Sequence, residues 1–193
     1  MATTNKNPFL QVRSRIGDSE RSLAWYQNQV KAISKAKTTP NSLLQNAPDL
    51  VNRILPGHMY MFLYDAKLKD TLPYWDMFPL VLPFRKVPDG FYGINLHYLS
   101  YPVRFKLLEV LHEYASDEKI SEDTKVRVSW QTLLTMSRVA PIKGCVKHYL
   151  DSHVQSRFLN IKYPDWVTAS LLPVEKFVGA DKQEVWRNVR EKF

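Results

Sequence analysis

Residues 58–98 constrain the fold more than any other part of the chain, because large rings crowd into extended runs punctuated by proline and glycine. Pro56-Gly57 is a strong turn signal, and the residue pattern changes after it. Residues 58–64 read His-Met-Tyr-Met-Phe-Leu-Tyr, bulky side chains that suit a pleated, buried strand. Residues 65–73 are a polar, charged connection. Residues 78–84 form a second extended run, which Pro79 and Pro83 demote to an edge strand or to a strand bounded by bends, since neither can donate to a ladder. Pro88-Asp89-Gly90 predicts a tight turn in which glycine takes a positive φ. Residues 91–98 supply a third strand, with Gly93 marking a bulge or sharp bend. Three such strands predict a small, strongly bent sheet or an SH3-like partial barrel. They are too few to close it alone, so helices or further strands must complete the core.

The flanking segments read as helices. Asp18 or Ser19 is placed to cap a helix whose stripe is Leu23, Tyr26, Val30 and Ile33, with Trp25 off that stripe. Short helical turns follow through Leu43, Leu44, Leu50 and Ile54, interrupted at Pro48. Pro102 opens a helix with Val103, Leu107, Leu111 and Tyr114 on its inner face and Arg104 outside it. Residues 130–139 and 143–153 read as two more helices, 157–162 as a strand, and 165–172 as ambiguous. A last helix is capped by Asp181, with Val185, Trp186, Val189 and Phe193 inward. The fold class is therefore α+β, divided into a basic N-terminal arm at 1–17 and a single domain at 18–193.

Charge is unevenly placed. Residues 1–57 carry eight Lys/Arg against three Asp/Glu, so most of the net +8 lies toward the N-terminal side. Lys6, Arg13, Arg15 and Arg21 are the candidates to meet nucleic acid or an acidic protein surface there. A solvated tail is the bland alternative. One cysteine, Cys145, cannot form an internal disulfide, which fits a reducing compartment. No run is apolar enough for a signal peptide or a membrane span, so no membrane partner is expected.

Chemical signatures are sparse. Cys145, His148 and His153 are the one set resembling metal ligands, but on a helix position 153 points away from the other two. Asp65, Asp70, Asp76 and Asp89, with Lys67 and Lys69 among them, could form a nuclease-like site, yet turns favour these residues anyway. No phosphate loop, dinucleotide fingerprint or nucleophile elbow is present. No catalytic residue, metal or cofactor is assigned. Twelve of the 24 Phe, Trp and Tyr residues fall between 58 and 105, so the sheet must bury them or present them to a partner. Tyr60, Phe62 and Tyr64 read as core. Tyr74 and Trp75 are adjacent rings in a loop that cannot both point inward if extended. With Arg85 and Lys86 they are the candidate partner-binding residues.

Several stretches resemble a small protein of large contractile-tailed bacteriophages: Pro-Gly-His-Met-Tyr at 56–60, Tyr-Asp-Ala-Lys at 64–67, Leu-Pro-Tyr-Trp-Asp-Met-Phe-Pro-Leu-Val at 72–81, and Asp-Gly-Phe-Tyr-Gly-Ile-Asn-Leu-His-Tyr-Leu at 89–99. The resemblance carries no catalytic residue. It implies a non-enzymatic structural or assembly protein of the tail, baseplate or head-tail junction. Such a protein would be assembled in the host cytoplasm into the virion, as part of a hetero-oligomeric assembly with other virion proteins. The alternative is a phage DNA-binding protein using the arm and the aromatic sheet; a metal-dependent nuclease is a further one.

Overall fold

The computed structural model describes residues 7–17, 21–33, 38–45, 47–115, 131–138 and 142–192. Its centre is a six-stranded antiparallel sheet in the order β1-β7-β2-β4-β5-β6. The strands are β1 (Leu50–Val51), β2 (Met59–Met61), β4 (Leu80–Val87), β5 (Gly90–Asn95), β6 (Val146–Leu150) and β7 (Phe158–Ile161). A separate pair joins β3 (Trp75–Asp76) to β8 (Phe177–Val178). The helices are α1 (Pro8–Arg13), α2 (Leu23–Lys31), α3 (Pro40–Gln45), α4 (Tyr101–Ala115), α5 (131–136), α6 (Trp166–Leu171) and α7 (Lys182–Lys192). The fold is α+β, and the sheet is not closed into a barrel.

Strand alternation explains how one sheet serves two cores. Along β2, Met59 and Met61 face the helices, while Tyr60 and then Phe62 face the other side. Leu159 and Ile161 join the helix side, while Phe158, Phe91 and Tyr149 join the second. Six of the nine buried residues of that second core are aromatic. Phe62 meets Tyr149 at 5.3 Å, Phe158 at 5.0 Å and Phe91 at 5.9 Å between centroids, all edge-on. Edge-to-face packing suits ring quadrupoles, so these contacts add to what burial alone gives.

Several sequence expectations change. Of the two readings of residues 78–84, the edge fails: β4 is an interior strand, and it follows a bend at residues 77–78 and is irregular at Pro83. The register shifts between Pro83 and Arg85, leaving Pro83 opposite Gly93 and Arg85 opposite Tyr92. A bulge there tolerates the missing proline donor, and the Pro83 carbonyl accepts from the Gly57 amide at 3.0 Å. Residues 143–153 are not a helix: a 3-10 turn at Ile142–Cys145 leads into β6, which pairs with β5. Val-Lys-His-Tyr-Leu alternates, and pairing selects the strand. Leu50 lies in β1 rather than in a helical turn.

The N-terminal segment is also not all loop. In α1, Pro8, Phe9 and Val12 are buried, and Asn7 caps it by accepting from the Phe9 amide at 2.9 Å. Ser22, not Asp18 or Ser19, caps α2 through the Trp25 amide; residues 18–20 lie outside the described residues. Trp25 packs edge-on against Tyr26 beneath Arg21. On α4 the buried stripe is Arg104, Leu107, Leu108 and Leu111, while Val103 is 36% exposed. The stripe obeys helical spacing; a charged residue sits at one of its inner positions.

That arginine organises the centre. Arg104 Nε donates to the Leu99 carbonyl at 2.7 Å, Nη1 to Ser170 at 2.7 Å and Nη2 to His97 at 3.1 Å. Nη2 also lies 2.9 Å from Glu175 Oε1, as an ion pair without hydrogen-bond alignment. Trp186 Nε1 donates to the same His97 carbonyl at 2.8 Å. His97 Nδ1 in turn lies 2.8 Å from Asp76 Oδ2, which also accepts from Asn95 at 3.1 Å.

Burial alone would raise the Asp76 carboxyl, but His97, Asn95 and the Phe78 amide outweigh it and hold it below its ordinary value. Glu175 behaves likewise: burial opposes its charge, while His97, Arg104 and Lys182 win. Both carboxyls thus bind protons less readily folded than unfolded, so their stabilisation is intact above about pH 5. It is lost as pH falls through their folded-state values. Urea midpoints should therefore drop as pH falls below about 5, and Asp76→Asn should flatten that drop. A variant slope as steep as wild type would exclude Asp76 as a contributor.

Candidate nucleic-acid interface

Three surfaces converge on the β4–β5 hairpin. The first is a polar groove beside the aromatic core, a cavity of 760 Å³. Arg53 enters it from beyond β1, Lys86 from β4 and Arg157 from the approach to β7. All three are exposed, and Asp151 is the acidic side chain among its lining residues. Asn52, Gln155 and Ser156 add neutral polar groups, while Phe91 and Phe158 form part of its floor. Three cations around a shallow trough suit a phosphodiester strand.

The second surface is a stack across three strands. Arg85, Tyr92 and His148 stand opposite one another in register. The Arg85 guanidinium lies 4.4 Å above the Tyr92 ring, and Tyr92 and His148 are stacked at 4.6 Å, 10° apart. Asp89 holds the far side of His148 at 3.3 Å. The side chains of Arg85 and Lys86 alternate across the pleat, so one serves the stack and the other the groove.

The third is a cleft of 680 Å³ between β6 and the segment leading to β3. Tyr74 and Trp75 line it, with Lys67, Lys147 and His148. Tyr74 packs against Tyr98 at 6.0 Å and Phe177 at 6.5 Å, on the helix-side core, while Trp75 packs on the aromatic core. Both rings are half-buried, contrary to the sequence expectation, because β3 runs between the two cores and gives each ring one. Lys147 lies 4.2 Å over the Tyr98 ring. Asp76, Asn95 and Tyr149 reach the cleft from below. Asn95 donates to the Tyr149 hydroxyl at 3.0 Å. Burial, reinforced by Asp76, pushes the Tyr149 phenol well up, so it keeps its proton and can donate.

The N-terminal basic residues do not join these surfaces. Arg13 pairs with Asp165 through Nη2 and donates from Nε at 3.0 Å, tying α1 to the turn before α6. Arg15 donates to Gln29 at 2.9 Å, and Arg21 lies over Trp25. None of the three lines the groove or the cleft. Lys6 lies outside the described residues.

The other candidate chemistry is dispersed. Cys145 is buried, and burial pushes its thiol up to about 12, far from a thiolate ligand. His148 belongs to the stack, and His153 Nδ1 lies 2.8 Å from the Asp65 carbonyl. Asp65 pairs with Lys69 at 2.9 Å, whereas Asp76 is buried against His97. Among the described residues no cluster of three or more His, Cys, Asp or Glu could hold a metal. No helix among them is long and apolar enough to cross a membrane.

Sequence reasoning singled out Lys86 but missed Arg53 and Arg157. They are more than a hundred residues apart, and only the adjacency of β1 and β7 brings them together.

The groove and the stack thus combine exposed cations with aromatic faces on one antiparallel sheet. The family model of the phage T4 terminal DNA protecting protein matches residues 13–192. The chain belongs to that family, and is a bacteriophage protein. No curated protein and no solved structure matches it. The family agrees with the phage origin implied by the sequence resemblance. It favours the DNA-binding alternative over the tail or baseplate reading, which it does not support.

Proposed function

We propose that this protein binds the ends of linear duplex DNA and shields them, holding the backbone in the groove of Arg53, Lys86 and Arg157. The convergence of those three side chains beside the aromatic core is the observation that carries the reading. Family membership supports the choice of DNA ends. Backbone contacts of this kind are independent of sequence, as a protector of arbitrary ends requires. The role is binding in stoichiometric amounts, with no chemical step.

The purified chain should shift a blunt-ended duplex and slow its digestion by an exonuclease. Closed circular DNA should compete poorly at equal mass. Equal competition by the circle would exclude recognition of ends. Each phosphate contact adds about 0.9 to the slope of log affinity against log salt. The double variant Lys86→Ala/Arg157→Ala should therefore weaken binding and lower that slope by about two. An unchanged slope would remove the groove from the interface. We retain the virion location implied by the resemblance as part of this proposal. Mass spectrometry of purified, nuclease-treated particles tests it, and absence from them would leave DNA binding untouched.

A further inference from the structure

The groove accounts for affinity but not for why an end should be preferred to the middle of a duplex, since internal phosphates look the same. The cleft supplies what the groove lacks. It has the volume of a small-molecule site, 680 Å³, where pockets for such ligands span roughly 300–1,000 Å³. Its walls carry the rings of Tyr74 and Trp75, and Leu68 and Leu72, 60% and 42% exposed, extend the apolar surface to its mouth. Lys67 and Lys147 line it as well. Rings, apolar rim and ammonium groups match the faces of a nucleobase and the phosphate attached to it. The Tyr149 hydroxyl accepts from Asn95 and has a proton to give, so the floor also offers a polar edge.

Position strengthens the match. Cleft and groove share the β4–β5 hairpin: Pro88 and Gly90 line the groove, and Asp89 lines the cleft. The paired strand crosses between them as well, with Leu150, opposite Gly90, on the cleft and Asp151, whose amide donates to the Asp89 carbonyl, on the groove. Groove and cleft therefore adjoin, and a DNA strand held in the groove can reach the cleft.

We propose that the cleft captures one unstacked nucleotide at the DNA terminus, its base against Tyr74 and Trp75. A concave site cannot admit a base that is still paired and stacked between neighbours; the base must first be drawn out. An internal base loses two stacking partners, whereas a terminal one loses a single partner. The cleft thereby turns a sequence-independent binder into an end-selective one. Because every base has a π face, the site accepts all four. This inference rests on the end-binding reading above.

The test compares two duplexes identical except at one unpaired terminal nucleotide, which carries a base in one and an abasic sugar in the other. The wild-type chain should bind the base-bearing end roughly tenfold more tightly, within the range of one base–aromatic stack. That ratio should hold for all four bases. Tyr74→Leu, checked for folding by its urea midpoint, should bring the ratio toward one. Trp75→Leu serves the same purpose if Tyr74→Leu does not fold. Equal wild-type affinity for the two ends would overturn the base pocket while leaving end binding intact. Failure to bind either duplex at low salt would overturn both. A tenfold ratio that survives both substitutions would overturn the placement of the base in this cleft.

Discussion

Arg104→Met should lower the stability of the folded chain by about 3–5 kcal/mol, the usual result of removing one partner from a buried ion pair. The reason lies in what the guanidinium leaves behind. Glu175, with a side chain only 3% exposed, would keep Lys182, at 3.8 Å, as an ion-pair partner. The carbonyls of Leu99 and Ser170 would each lose a 2.7 Å donor inside the core. A buried acceptor left without a partner costs about 1–3 kcal/mol. Burial pulls the guanidinium below its ordinary value, while Glu175 pulls it back. Arg104→Lys should recover little, because one ammonium cannot reproduce a fork that reaches three carbonyls and a carboxylate. Adding Glu175→Met to Arg104→Met should recover part of the loss by removing the stranded charge, but not the part due to the carbonyls. Urea midpoints at constant slope provide the measurement. A single variant within 1 kcal/mol of wild type, an order-of-magnitude threshold, would show that the guanidinium is not confined as described.

Arg104 also shows where sequence reasoning stops. Its stripe of 104, 107, 108 and 111 has the correct period, but periodicity treats a charged residue as an outward one. Only Glu175, 71 positions away, makes the inward position tolerable. The strand within residues 58–64 was legible because bulky apolar and aromatic side chains dominate there, and its two faces differ only in which core they meet. The last helix was legible for a similar reason: Asp181 accepts from the amides of Gln183 and Glu184, and Val185 and Val189 are buried. The edge reading of β4 fails because a bulge is a property of paired strands, and one sequence shows Pro83 without showing Gly93 opposite it. In the sequence, Tyr74, Trp75, Arg85 and Lys86 stand together as partner-binding candidates. They were grouped as one surface, whereas the pleat and the bulge distribute them among cleft, stack and groove.

Gly90→Ala should cost about 3 kcal/mol, at the upper end of what forced overpacking produces, and Gly90→Val at least as much. The turn sequence predicts this damage from a positive φ, but among the described residues only Gly57 and Gly179 have one. Gly90 is required instead by close approach. A Cβ at this position would sit 1.9 Å from the Tyr149 carbonyl oxygen and 2.9 Å from its carbon. Both are backbone atoms in the paired strand, with Gly90 opposite Leu150, so no side-chain rotation relieves the clash. Asparagine separates the two causes. It tolerates left-handed backbone better than most residues and would partly rescue a glycine kept for φ. Here Gly90→Asn should be as damaging as Gly90→Ala, whereas Lys86→Ala, on an exposed side chain, should stay within about 0.5 kcal/mol of wild type. A mild Gly90→Asn would return the explanation to backbone conformation. The strand pair at stake also joins the two binding surfaces, since Gly90 lines the groove and Tyr149 the cleft. Forcing β5 from β6 changes their spacing. The Gly90→Ala chain that remains folded should therefore lose its preference for base-bearing ends before it loses its salt-dependent affinity for duplex DNA.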